Sequence, residues 1–161
     1  MISSKLAQLL TDQIGHELTA HQDYFGIAVY FERQSLFGWS RLFRDQAIEE
    51  SQHAAKIMTF LVDNEVEFDI PPTPGATTSF GSALEAARAS LEWERGVTER
   101  FRAMSRAALE EHDATSHQFL GWFLAEQVEE EAKMQHVIDL LATGINLFQA
   151  EPLLAAIERG D

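Results

Sequence analysis

Cysteine is absent from this 161-residue chain. That excludes a disulfide framework, and with it thiolate-held zinc and iron–sulfur clusters. Basic residues are scarce: 12 Lys and Arg stand against 26 Asp and Glu, a formal net charge of −14. Nucleic acid and anionic membrane both demand a basic surface, so neither is expected as a partner. Cations are the natural guests of such a protein. Long apolar runs are missing as well. No stretch reaches the roughly 20 apolar residues of a membrane span. The N-terminal MISSKLAQLLTDQIGHEL is amphipathic and lacks the layout of a signal peptide. A cytoplasmic location is therefore expected. Prolines number only four, and three of them crowd into DIPPTPGATTSFG, residues 69–81. The rest of the chain is left almost free of helix breakers.

What is there is helical periodicity. The length and the 45% hydrophobic content fit one domain, residues 1–161, with a sizeable core. The pattern predicts an all-α bundle: helices over about 5–34, 37–64, 82–111 and 114–143, then a short fifth segment over about 146–159. Ser3 or Ser4 suits the first N-cap, Ser82 with Glu85 forms a capping-box pattern, and Gly144 is a stop. The first two helices are joined too tightly to be anything but antiparallel neighbours. The proline-rich break after the second is long enough to return along the whole bundle. That makes helices two and three parallel, with one long crossover.

The apolar stripes carry the chemistry. Along the first helix the core positions read Leu10, Ile14, Glu17, His21, Tyr24, Ala28, Phe31. The second reads Trp39, Phe43, Ala47, Glu50, His53 or Ala54, Ile57, Phe60. The third reads Phe80, Leu84, Ala87, Leu91, Glu94, Thr98, Phe101, and the fourth Leu120, Phe123, Gln127, Glu130, Met134, Val137, Leu141. Each stripe is apolar at its ends and polar at its middle. In a bundle those middles lie at similar depth. Clustered buried carboxylates repel one another unless protons or cations intervene, and a bound cation cluster compensates all of them together. Carboxylate oxygens with an imidazole nitrogen suit iron, manganese or zinc. Positions three apart lie roughly 60° apart around a helix, so Glu50 and His53 can grip one ion from one side. Glu17 completes that ion's shell, while Glu50 bridges to a second held by Glu94 and Glu130. His21 is read as a hydrogen-bond partner, Met58 as core, and His112, Asp113 and His117 as an exposed loop in preference to the lining of an entry channel.

These residues together resemble the bacterial non-haem ferritins, over nearly the whole chain. The resemblance implies a ferritin-like four-helix bundle with a short C-terminal fifth helix. It implies a first metal site of Glu17, Glu50 and His53, and a second of Glu50, Glu94 and Glu130. Gln127 corresponds to the Gln beside that centre and Tyr24 to a Tyr proposed to act in electron transfer. A third iron site toward the inner surface matches Glu49, Glu126, Glu129 and Glu130. The run Glu126-Gln127-Val128-Glu129-Glu130 is the most specific local piece. The implied function is iron storage and detoxification: a ferroxidase that oxidises Fe2+ to Fe3+ with O2 or H2O2 and deposits ferric oxyhydroxide inside a homo-oligomeric shell of 24 subunits.

The sequence departs from some relatives. Di-iron bundles commonly carry a second Glu-x-x-His, and here Gln127-x-x-Glu130 takes its place. Bacterioferritins set a haem-ligating Met after the second-helix Glu; Ser51 stands there, so no haem is expected. Two other classes remain open at this point. A di-iron oxygenase or peroxidase of the same architecture would bring the missing second motif and a substrate pocket. A metal-free helical scaffold would turn its mid-helix acids outward. A small DNA-protecting shell is disfavoured, because the ligands all come from one bundle and no basic tail is evident.

Overall fold

Helix punctuation settles where each element starts. The computed structural model describes residues 2–159, the last by its backbone alone. Four long helices dominate: α1 (Ser4–Glu32), α2 (Phe37–Asp63), α3 (Ala83–Glu110) and α4 (Ala114–Ala142). Side-chain oxygens cap three of them. Ser3 accepts from the Leu6 amide, Ser82 from Glu85 and Asp113 from Ser116, each satisfying a donor the helix leaves open. Gly144, at φ +74°, ends the α4 turn in the left-handed region. A helix of 29 residues such as α1 spans ~43 Å at ~1.5 Å per residue.

The crossover runs beside α1 in the same direction. Pro71 lies against Gly15, Thr73 accepts from Gln22, the Thr77 carbonyl crowds Gly26, and Thr78 Oγ1 accepts from Arg33 at 2.9 Å. Eight crossover residues, 71–78, thus run alongside α1 from Gly15 to its end, as only extended chain can. The chain returns to the end where α2 began, so α3 is parallel to α2. Close approach has a cost in sequence freedom. A Cβ on Gly26 would stand 2.1 Å from the Thr77 oxygen. Gly26→Ala is therefore expected to destabilise by about 1–3 kcal/mol, although alanine gains ~1 kcal/mol in an open helix. Gly121 has nothing within 4 Å of its would-be Cβ, so Gly121→Ala is the control that should stabilise. Denaturation midpoints of the two variants check the pair.

Two apolar clusters fill the bundle. One gathers Tyr24, Phe31, Trp39, Phe43 and Leu91 with Met134 and Val137; the other gathers Leu10, Ile14, Ile57, Phe101, Leu120 and Phe123. On all four helices the boundary between them falls at the polar residues. The carboxylates therefore form a buried layer between two dry layers.

The fifth segment differs from a single short helix. It comprises a helical turn α5 (Leu147–Ala150), a 3-10 turn at Glu151–Leu153 and a last helix α6 (Leu154–Arg159). Pro152 is the reason: it has no amide hydrogen to donate and it sits where a continuous helix needs one. The segment closes one end of its own bundle. Ala150 and Leu154 join the core, Trp39 Nε1 donates to the Leu147 carbonyl at 2.9 Å, and the Gly38 amide donates to Glu151 at 2.8 Å. Among the described residues no helix is long and apolar enough to cross a membrane.

Candidate metal centre

Periodicity places the polar residues inside, and the structure gives their depth. Glu17 is fully buried, and Glu50, Glu94 and Glu130 are exposed by 1%, 1% and 5%. His53 and Gln127 are buried with them. Outward-pointing acids, the mark of a scaffold without metal, are not what these four are.

Glu17, Glu50 and His53 converge. One ligand atom from each lies within 4.8 Å of the others. His53 Nδ1 is 3.4 Å from Glu50 Oε2 and 4.0 Å from Glu17 Oε2. Both His53 Nδ1 and Glu17 Oε2 are buried with no hydrogen-bond partner among the described residues. An unsatisfied buried carboxylate oxygen and imidazole nitrogen cost several kcal/mol unless something joins them. A cation suits both, because each offers a lone pair and neither needs a proton to do so. The other oxygen of Glu17 is engaged: Gln13 donates to it at 2.8 Å, and Arg100 donates to Gln13 at 3.1 Å.

Glu94 and Glu130 attach through different partners. Tyr24 donates its hydroxyl to Glu94 Oε1, and Gln127 donates to Glu94 Oε2 at 3.0 Å. Tyr24 is fully buried and packs edge-on to Trp93. Glu130 Oε2 accepts from Gln46 Nε2 at 2.6 Å, and the same amide group donates to Glu50 Oε1 at 2.9 Å. Gln46 thus ties α2 to α4 across the layer. Lys133 lies 3.6 Å from Glu130 and donates to Glu49 at 3.0 Å.

Of the four residues matched to a third site, Glu49 and Glu130 share Lys133, while Glu126 and Glu129 line the same groove between α2 and α4. That groove opens beside His53 and is walled by Trp122, whose ring meets His53 edge-on at 5.7 Å. His21 is a hydrogen-bonding residue, its Nδ1 2.6 Å from the Ala47 carbonyl. Of the three residues read as an exposed loop, His112 does stand exposed in the turn between α3 and α4, Asp113 is half-buried in that turn, and His117 lies outside it. Asp113 caps α4, and His117 lies inside that helix, 3.1 Å from Ser105 Oγ.

Charge follows from depth. Burial pushes the Glu17 carboxyl well above its ordinary range, and neighbouring Glu50 pushes it further. Burial, with Glu50 and Glu130 nearby, raises Glu94 to about 8. Burial also raises Glu130 to about 7, against the pull of Lys133. Glu50 is the exception. Burial would raise it too, yet the attraction of His53 beside it and the hydrogen bond from Gln46 hold it below the ordinary carboxylate value. His53 is drawn down by burial but ends raised, because Glu50 stands beside it. The layer without metal therefore carries protons, with one carboxylate already ionised.

Gln13, Gln46 and Lys133 are the functional candidates that the stripes did not reveal. A signal existed for the first two. Gln13 precedes Glu17 by four residues, and Gln46 precedes Glu50 by four. That is the spacing at which a helical side chain reaches its neighbour.

The chain matches the family described as ferritin-like domain over residues 7–143. It is 37% identical over 155 residues to Ferritin BfrB of Mycolicibacterium smegmatis, covering 96% of this chain and 86% of that protein. It is 36% identical over 141 residues to the bacterial non-heme ferritin of Staphylococcus aureus, covering 88% of this chain and 85% of that one. Among solved structures, a humanized archaeal ferritin superimposes with a TM-score of 0.90 at 30% identity, covering 99% of this chain and 95% of that one. The open-pore ferritin of Archaeoglobus fulgidus superimposes with a TM-score of 0.89 at 30% identity, covering 99% and 96%. With its parallel second and third helices, its buried carboxylate layer and these relatives, the chain belongs to the ferritin family.

Proposed function

We propose that this protein oxidises Fe2+ at a pair of iron positions within each subunit and stores the product as a ferric mineral inside a shell of its own copies. Family membership and the bundle fold support iron storage in general. The observation that carries the finer reading is the pair of unpartnered buried atoms, Glu17 Oε2 and His53 Nδ1, facing Glu50.

In this reading Glu17, Glu50 and His53 hold one Fe2+ as substrate, and Glu50, Glu94 and Glu130 hold the other. Holding two ions side by side lets one O2 or H2O2 take an electron from each. Binding displaces the protons held by Glu17, Glu94 and Glu130. The Tyr24 hydroxyl, bonded to Glu94, is placed to deliver a further electron and its proton together. Gln127 steadies Glu94 from the opposite oxygen. Glu126 and Glu129, beside the groove, offer the oxidised ion an acidic way toward the interior, and Glu49 and Glu130 complete the third position implied by the resemblance. The test is aerobic Fe2+ loading of the purified particle, followed by its size and iron content. A particle of one subunit, or one that takes up no iron, would defeat the proposal. An organic-substrate oxygenase has less support, since Gln127 replaces the ligand of a second Glu-x-x-His.

Assembly in this reading involves the C-terminal end, in a shell proposed to hold 24 subunits. Phe37, Phe148 and Leu153 remain 63%, 58% and 48% exposed around the segment that closes the bundle. Apolar surface grouped at one end suits contact with further copies. Truncation before Asn146 is expected to disturb particle size while helix content falls only by the residues removed. Size-exclusion chromatography and circular dichroism check it, and an intact shell would refute the assembly role.

A further inference from the structure

The groove between α2 and α4, about 470 Å³ in volume, is rich in acids, yet its inner end already contains a cation. Lys133 stands one turn beyond Glu129 on α4, and its side chain is only 18% exposed. Its ammonium group has three donors and no acceptor. It lies 2.8 Å from Gln46 Oε1, 3.0 Å from Glu49 Oε2 and 3.6 Å from Glu130 Oε2. Three helical side chains thus surround one charge. The oxygens of Glu49 and Glu130 that face it are the ones a metal ion between those residues would need.

The ammonium also governs the amide beside it. Because lysine only donates, the Gln46 oxygen must turn toward it. The NH2 group must then face the acids, as it does, donating to Glu50 at 2.9 Å and to Glu130 at 2.6 Å. One side chain therefore sets a positive charge between Glu49 and Glu130 and orients the amide that spans Glu50 and Glu130.

We propose that Lys133 is a tethered counter-cation that takes the third, inner position of the cluster, holding the tight metal complement to two ions per subunit and admitting another only when its ammonium swings into the groove. The inference rests on the two-ion centre proposed above. It assigns Lys133 a positioning role, since the residue acts through Glu49, Glu130 and Gln46.

Zinc is a suitable probe because it is redox-inert and accepts the same donors. Titration calorimetry of the assembled, iron-free protein with Zn2+ counts the ions. The wild type is expected to bind two tightly. Lys133→Met is expected to bind a third at least about tenfold more tightly than the wild type does. Lys133→Arg, which keeps the charge, is expected to return the count to two, a rescue that loss of packing alone would not produce. Lys133→Gln replaces the Met variant should the latter fail to assemble. A wild type that binds three ions with similar affinity would overturn the proposal, as would a Met or Gln variant that stays at two. A wild type that binds no zinc would instead sink the two-ion centre, and this inference with it.

Discussion

Replacing Glu50 with alanine is expected to slow rapid Fe2+ oxidation by at least ~100-fold while leaving the shell assembled. Glu50 is the one carboxylate of the four held below its ordinary pKa, so it is ionised before metal arrives. It faces His53 at 3.4 Å on one oxygen and accepts from Gln46 on the other. In the proposed centre it is also the only side chain shared by both ions. Alanine removes a ligand from each and leaves the Gln46 donor and the His53 ring without their partner. Folding should suffer far less. The lost hydrogen bonds and the small cavity cost stability, but the repulsion that Glu50 exerts on Glu17 and Glu94 disappears. Stopped-flow oxidation on particles of confirmed size is the measurement. Rates within a factor of about two of the wild type would place the chemistry elsewhere.

Stability of the metal-free protein is expected to fall as pH rises from 6 to about 8.5, and divalent metal should cancel the fall. Glu94 is raised to about 8 and Glu130 to about 7, from an ordinary 4.5. Between the ordinary and the raised values the folded state keeps a proton that the unfolded state has lost. Their stabilisation is complete below about pH 4.5 and is lost as pH climbs through 7 and 8. Glu50, with its lowered value, works in the opposite direction, but its window lies below 4.5. Each pH unit is worth ~1.4 kcal/mol per titrating group, so a drop in Tm on the order of 10 °C follows for a chain of this size. Zn2+ takes the place of the protons. It should raise Tm more at pH 8.5 than at pH 6, and its binding at pH 6.5 should release roughly three protons per subunit, from Glu17, Glu94 and Glu130. Differential scanning calorimetry at several pH values, and metal binding in buffers of different ionisation enthalpy, read the two effects. A Tm that rises with pH across this range would contradict the assigned charge states.

Much of the molecule was legible beforehand, and particular residues explain why. Ser3, Ser82 and Gly144 punctuate the helices through local hydrogen bonding and backbone freedom, which need no partner far away in sequence. Glu17, Glu50, Glu94, Gln127 and Glu130 keep step with apolar residues at helical spacing, and the structure buries all five. The parallel course of α2 and α3 followed from the length and proline content of one connection. Lys133 shows the opposite case. It lies on the rim of its helix, where a charged residue in a sequence is indistinguishable from one in water. Only the approach of Glu49 and Gln46 from α2 gives it a place. Pro152 shows a smaller miss: its presence was visible, but the division of the last segment into two helices and a 3-10 turn depends on what the segment docks against.

The amino-acid sequence by itself determined the helices, their order, the crossover and the depth at which acids meet, because these rest on periodicity and on the local geometry of the backbone. The tertiary structure decided which oxygens of those acids are already bonded, which are left without a partner, and which carboxyl is held below its ordinary pKa. Those properties depend on distances between helices and on the exclusion of water, and a few tenths of an ångström or a layer of side chains changes both.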